Sequence, residues 1–402
     1  MSKQRSLLAL DWLNFFMADV ETGIGPFVSA YLSAAHHLDP AQIGMVVGAQ
    51  SMAEVVAQAP AGWLIDRVRG KKWLIAVAAV VISIGALFVV AASSVAGQTA
   101  NQIAIGLAAA FVSPTVNAIS LGLVGHRAFA RRVGRNAAFS HGGNVTTALF
   151  AGWLGYAVGQ QWIFYSCAIL GAVVLATISF IRERDIDHDA ARALPGHGEQ
   201  AGKVYSLPDV LRKPGFALFA FVVVVFHIAN AAMLPLAGQE LARANPGSSS
   251  LYMSACIVTA QAVMVPVSYS VGRVAERIGR KPIFLAAFAV LASRGLLFAL
   301  AHRPVYIVGV EVLDGVGTAI ASVLGVLVVS DLAQGTGRFN LMQGLVQAAV
   351  GVGAFLGNNV AGQIAKAAGF PTAFVALSAV ALAGFGVYAV FMPETKAITG
   401  AA

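Results

Sequence analysis

Charged side chains are scarce in this sequence. They make up 11% of its 402 residues, against about 25% in an average soluble domain. A core of this size in water would need a charged shell that is not there, which excludes a water-soluble globular protein. Cysteine is nearly missing as well. Cys167 and Cys256 both fall in apolar runs, so they supply neither a disulfide framework nor a metal cluster and read as small buried hydrophobes. Histidines are few and scattered. Without a nucleophile–base constellation an enzyme is not expected, nor is any cofactor or metal. No Gly-x-x-x-x-Gly-Lys-Ser/Thr run occurs, so ATP is not the energy source. A cleavable leader is not expected either. The apolar run that starts the chain contains acids and is not followed by a small-residue cleavage site, so it reads as a first membrane span.

What is abundant is apolar sequence, 58% of the chain. A helix crosses a bilayer with about 20 mostly apolar residues. Twelve such runs are legible, near 9–32, 42–65, 73–93, 98–124, 136–158, 161–181, 215–240, 250–272, 282–301, 304–330, 341–366 and 370–392. Turn and charge signals such as His36-His37-Leu38-Asp39-Pro40 and Asn245-Pro246-Gly247-Ser248 separate them. Of the 26 lysines and arginines, 22 fall on the side that holds the N-terminus, three (Arg243, Arg303, Lys366) on the other, and Arg294 lies inside a span. Basic residues near span ends stay in the cytoplasm, so both termini are expected there, in a bacterial inner membrane. The formal charge of +8 is then a topology signal, and nucleic acid is not an expected partner. The polar stretch 182–213, containing Pro195-Gly196-His197-Gly198, reads as a cytoplasmic linker with a short surface helix near Leu207–Arg212. It separates a six-helix bundle over 1–181 from another over 214–402. The expected fold is an all-α integral membrane protein of two pseudo-symmetric bundles.

An internal repeat supports the two halves. Residues 62–72 read Gly-Trp-Leu-Ile-Asp-Arg-Val-Arg-Gly-Lys-Lys and residues 272–281 read Gly-Arg-Val-Ala-Glu-Arg-Ile-Gly-Arg-Lys. Their leading glycines are 210 residues apart, and Gly134-Arg135-Asn136 is echoed by Gly337-Arg338-Phe339-Asn340. Repeated halves are common in transporter folds, with substrate bound between them near the midplane. The duplicated Gly-x-x-x-Asp/Glu-Arg-x-Gly-Arg-Lys loop resembles the signature of the major facilitator superfamily. The second copy fits without gaps, and the first carries one extra residue, Arg69. The resemblance spans the whole chain. It implies alternating access and a cytoplasmic gate built from Gly62, Asp66 and Arg67 in one half and Gly272, Glu276 and Arg277 in the other. Asp66 would dock near the start of the eleventh span, and Glu276 would do the same across the other half. The plainer reading is that the basic residues of these loops only set topology.

Ionisable groups inside spans are costly and usually mark ion or substrate paths. Five acids qualify, Asp19, Glu21, Glu54, Glu311 and Asp314, with Arg294 as the one base. Counting outward from the hairpin turns puts Asp19, Glu21 and Glu54 at one depth, and Arg294 level with Glu311. Asp19 and Glu21 point about 200° apart. Gln50, Glu54 and Gln58 form a polar stripe at four-residue spacing. Glu311 and Asp314 share a face. If Arg294 neutralises one of them, the other is free to bind a proton. His227 and Asn230 on the seventh span are further cavity candidates, with a satisfied core histidine as the plainer alternative. A structural polar network between helices is the competing reading for all of these groups.

The resemblance has gaps. Proton-coupled exporters of the superfamily often carry Arg-x-x-x-Gly in span four, where this chain has Gln102-Ile-Ala-Ile-Gly106. Their span five often has a proline-containing glycine run, and this one has no proline. The leading expectation is a monomeric, proton-linked antiporter exporting a drug-like or metabolite compound. Symport of a small organic solute, anionic or metal-chelating, stays open. So does a sensor on the same fold, which would be expected to carry a substantial appended domain. Coupling is expected first in the N-terminal half.

Overall fold

The computed structural model describes residues 2–18, 40–193, 204–244, 249–300 and 303–396, with positions 20, 28, 31, 32, 35, 36 and 38. Among these residues there is no β-strand. The helices are α1 (Ser2–Ala18), α2 (Pro40–Arg67), α3 (Lys71–Ala91), α4 (Val95–Ala109), α5 (Val112–Ala157), α6 (Gln161–Ser179), α7 (Leu207–Leu211), α8 (Phe216–Asn230), α9 (Met233–Ala244), α10 (Ser249–Ile278), α11 (Lys281–Ala299), α12 (Pro304–Ala333), α13 (Phe339–Ala368) and α14 (Phe370–Phe391). Among the described residues nine helical stretches are long and apolar enough to cross a membrane. Their outer faces carry large apolar side chains in the open. Val77, Ile84 and Phe391 are 62%, 60% and 67% exposed. Contiguous exposure of this kind is untenable in water and natural against lipid tails.

The chain folds as two compact units. The first comprises residues 1–204 with 335–344, and the second 205–334 with 345–402. The repeat seen in the sequence is repeated in packing within each unit. In the first, a Cβ on Gly106 would overlap the Gln50 carbonyl oxygen, and one on Gly143 the Phe15 carbonyl oxygen. In the second, Gly315 meets the Ala260 carbonyl and Gly353 the Val224 carbonyl in the same way. Each glycine stands 209 or 210 residues from its counterpart, the spacing of Gly62 and Gly272. Small residues that let backbones approach are how helices pack where no hydrophobic drive acts between them. Gly357 adds a further turn of such contact with Ile228. Gly159 works differently. Its φ of +137° stops a helix, and no atom would crowd a Cβ there.

Three local features depart from the sequence reading. The stretch 126–135, expected as a loop, is helical and continues into the fifth-span helix. The break comes earlier, at Gly125, with φ 67° and ψ 173°, a conformation open essentially only to glycine. The seventh span is interrupted at Ala231–Ala232. Pro235 accounts for this, because its ring clashes with the carbonyl four residues earlier and it lacks an N–H. The start of the expected linker is packed into the first unit. Ile186, Ala191 and Ala193 are buried, and the Asp187 N–H donates to the Gly122 carbonyl. The short helix foreseen near Leu207–Arg212 is α7, opened by a capping box between Ser206 and Asp209. Pro195 to Gly198 lie outside the described residues.

Candidate functional site

The deepest charges of the second unit meet in one cluster. Arg294 on α11 is 1% exposed and Glu311 on α12 is fully buried. The Arg294 Nη2 lies 3.0 Å from Glu311 Oε2 and its Nη1 2.7 Å from Asp314 Oδ1. Nη1 also donates to Asn230 Oδ1 at 3.0 Å. Thr318, one turn beyond Asp314, donates to the same Asp314 oxygen at 3.0 Å. The local reasons are plain in helix geometry. Glu311, Asp314 and Thr318 follow at three- and four-residue steps and share a face. Asn230 stands at the last residue of α8, where the Pro235 break ends the helix. Both acids contact Arg294, so neither stands apart from it. Two carboxylates around one guanidinium still leave a formal excess of one negative charge. The Arg294 Nε has no hydrogen-bond partner among the described residues.

His227 makes its contacts on its own helix. Its Nδ1 donates to the Val223 carbonyl one turn back at 2.9 Å, and its ring meets Phe226 edge-on. One ring nitrogen is thus held by its own helix, on a residue that is half-buried.

In the first unit, Glu54 is half-buried on α2 and its Oε1 accepts from Gln58 Nε2 at 3.3 Å. Gln50 is half-buried and Gln58 buried. The Gln58 Oε1 has no partner among the described residues. Asp19 and Glu21, expected beside Glu54, lie outside the described residues.

Asp66 ends α2 and is 2% exposed. Its Oδ1 accepts from the Asn340 backbone N–H at 3.2 Å and from Asn340 Nδ2 at 2.8 Å, and its Oδ2 from the Leu341 N–H at 3.0 Å. These are the first N–H groups of α13, the positive end of its dipole. Gly62 makes the approach possible, because a Cβ there would overlap the Asn340 carbonyl oxygen, and Gly344 meets the Gln58 carbonyl reciprocally. Arg67 takes no part in this contact. It is exposed and stacks on Trp63, 3.7 Å from the ring centroid. Lys71 is the buried base of the loop. It donates to the Ile65 carbonyl at 2.6 Å and to the Val68 carbonyl at 3.0 Å.

The second copy of the loop repeats part of this. Arg280 donates to the Ala275 carbonyl at 2.7 Å, as Lys71 does to Ile65, and pairs with Asp331 at 3.0 Å. Gly272 is buried, Glu276 half-buried and Arg277 exposed. The carbonyls of Glu276 and Arg277 accept from Lys396 Nζ at 2.5 and 3.3 Å. Within this unit Glu394 meets the start of α11, accepting from the Arg280 and Lys281 N–H groups at 2.8 and 2.9 Å. Burial works against its charge, but these backbone donors outweigh it and hold its carboxyl below the usual value. Its charge therefore stabilises this corner above the ordinary glutamate value near 4.3, and the contribution fades as pH falls through the lowered one. Glu394→Gln is expected to flatten the acid limb of a Tm-versus-pH profile, which a thermal melt series would read.

One buried network had no forerunner in the sequence. Asp11 on α1 is 1% exposed and holds Arg132 at 2.6 Å and Arg135 at 2.7 Å. Arg132 Nε donates to Asn136 Oδ1, and Asn136 to Ser120 Oγ. Read as loop residues, the two arginines looked like topology signals only. The available clue was an acid two residues inside the first apolar run.

The comparisons with known proteins agree with this architecture. The sequence model of the Major Facilitator Superfamily matches residues 10–271 and 247–401. Uncharacterised MFS-type transporters of two Mycobacterium tuberculosis strains, CDC 1551 and H37Rv, are 44% identical over 389 residues, covering 96% of this chain and 93% of theirs. One from Methanocaldococcus jannaschii is 27% identical over 188 residues, 46% of this chain and 48% of its own. Among solved structures, the transporter FucP in its outward conformation is similar at a TM-score of 0.76 and 16% identity, over 98% of this chain and 100% of that one. The human organic anion transporter MFSD10 is similar at 0.71 and 13% identity, over 96% of this chain and 100% of its own. With two overlapping family matches that cover nearly its whole length, the chain belongs to the Major Facilitator Superfamily of membrane transporters.

Proposed function

We propose that this protein moves a small organic solute across a bacterial plasma membrane by alternating access, and that it couples this movement to protons. Twelve spans with both termini in the cytoplasm are the topology proposed, on the strength of the 22 basic residues gathered on one side. The observation that carries the coupling is the buried Arg294–Glu311–Asp314 cluster, which holds one more acid than base. Asp314 is the acid through which protons exchange. Its side chain is 13% exposed while that of Glu311 is 0%, and Thr318 steadies its oxygen for either protonation state. Glu54 is the corresponding acid of the first unit, with Asp19 and Glu21 as its companions. The Asp66 contact with the head of α13 is the cytoplasmic gate, made in one state and broken in the other. Glu276 serves the second gate.

Counterflow in proteoliposomes with a panel of labelled solutes, with and without a pH gradient, tests the reading. Everted vesicles then separate export, the proposed direction, from import. Glu54→Gln preserves the acceptor oxygen used by Gln58 but removes the titrating carboxyl. It is expected to keep solute counterflow and to lose accumulation driven by the pH gradient. Full gradient-driven accumulation by this variant would remove Glu54 from the coupling path.

A further inference from the structure

A cavity of about 450 Å³ opens beside the first helix of the first unit, inside the range of about 300–1,000 Å³ usual for small-molecule sites. Gln4, Leu7, Leu8 and Asp11 line it from α1, and Val124, Ala128, Arg131, Arg132 and Arg135 from the α5 side. Three guanidinium groups therefore share its wall with a single carboxylate. Arg132 and Asp11 are nearly fully buried, their side chains 5% and 2% exposed, so the positive wall is built into the packing and is not a loose surface patch. Beside Gln4 and Asp11, the α1 side also presents apolar side chains. Leu8 is 56% exposed and Trp12, one turn further along the same face, is 45% exposed. A concave site with cationic groups at one end and exposed apolar side chains leading away from it matches an amphiphile with an anionic head. The Gly125 break contributes to this geometry, because residues 126–135 start a new helical stretch there that brings Arg132 and Arg135 to Asp11 of α1.

We propose that this cavity holds the phosphate headgroup of an anionic phospholipid, with an acyl chain lying along Leu8 and Trp12. Basic pockets beside membrane helices are suited to such headgroups, and the exposed Leu8 and Trp12 leading away from this one favour a lipid over a free anion. The leaflet involved follows from the orientation proposed above, but binding of the lipid to the solubilised protein does not depend on it, so the two readings fail separately.

The test uses the full chain in detergent, titrated with phosphatidylglycerol, phosphatidylcholine or inorganic phosphate. Tm and the lipids retained in native mass spectra are the readouts. Phosphatidylglycerol is expected to raise Tm and remain bound, while the other two do neither. Arg131→Gln, at an exposed position of the cavity wall, is expected to weaken phosphatidylglycerol binding about fivefold. Arg127→Gln, outside the cavity, is expected to leave it unchanged. Equal stabilisation by inorganic phosphate or by phosphatidylcholine would overturn the proposal. So would an Arg131→Gln variant that binds like the parent, or an Arg127→Gln variant that loses as much.

Discussion

Arg294→Met is expected to be the most damaging single substitution in the second unit. It leaves Glu311, fully buried, and Asp314 facing each other with no counter-charge. Removing one partner of a buried ion pair costs about 3–5 kcal/mol. The purified variant should melt at a markedly lower temperature and accumulate poorly in the membrane. Loss of transport alone would then be uninformative, so a second variant separates folding from function. In Arg294→Met/Glu311→Gln/Asp314→Asn every charge of the cluster is gone. Replacing a buried ion cluster with uncharged residues of similar volume removes the uncompensated charge, and Gln and Asn keep the shapes of the acids they replace and can still hydrogen-bond. This triple variant is expected to recover much of the lost Tm and to remain unable to accumulate solute against a gradient. A triple variant that folds and accumulates solute normally would show that the cluster is only a structural cross-brace between α8, α11 and α12.

Asp66→Asn is the second large effect, and it is expected to act on transport more than on folding. The two carboxylate oxygens accept three N–H groups from Asn340 and Leu341. An amide offers one acceptor oxygen and turns an NH₂ group toward a donor. Hydrogen bonds to a charged group contribute about 1.5–3 kcal/mol, enough to shift a two-state gate by tenfold or more. A protein whose first unit is otherwise intact should still express and purify. The variant is expected to reach the membrane at the parent level, as read by fluorescence-detected size exclusion, and to lose transport. Near-normal transport would remove Asp66 from the gate.

Much of this was legible in the sequence, for identifiable reasons. The apolar runs show themselves because a helix that crosses a bilayer needs a long apolar stretch with its backbone paired internally. The Arg294–Glu311 contact was foreseeable because both residues stand equally far from the turn of one hairpin, so depth along the helices could be counted. The Asp66 contact could be expected only through the family's duplicated loop, since its partners are 274 and 275 residues away. The Asp11–Arg132–Arg135 network was not legible. Its members are 121 and 124 residues apart and sit where charged residues are ordinary, near span ends. Only the helical continuation of α5 through 126–135 brings these arginines to Asp11, and it begins at a backbone break at Gly125 that no periodicity marks. The role of Glu394 as the cap of α11 was hidden for the same reason, because it joins positions 113 and 114 residues apart. The Pro235 break was visible as a residue but not as a consequence. Its effect on the placement of Asn230 is a matter of which helix turn survives beside Arg294.

Proton movement during downhill solute flux tests the central claim most directly. Proteoliposomes carrying a trapped pH-sensitive dye and a solute identified by counterflow would report both fluxes together. The parent protein is predicted to change the internal pH as solute moves. Asp314→Asn is predicted to move solute down its gradient without that change. Solute flux through the parent with no accompanying proton flux, or an unaltered pH signal in Asp314→Asn, would contradict coupling at the Arg294 cluster.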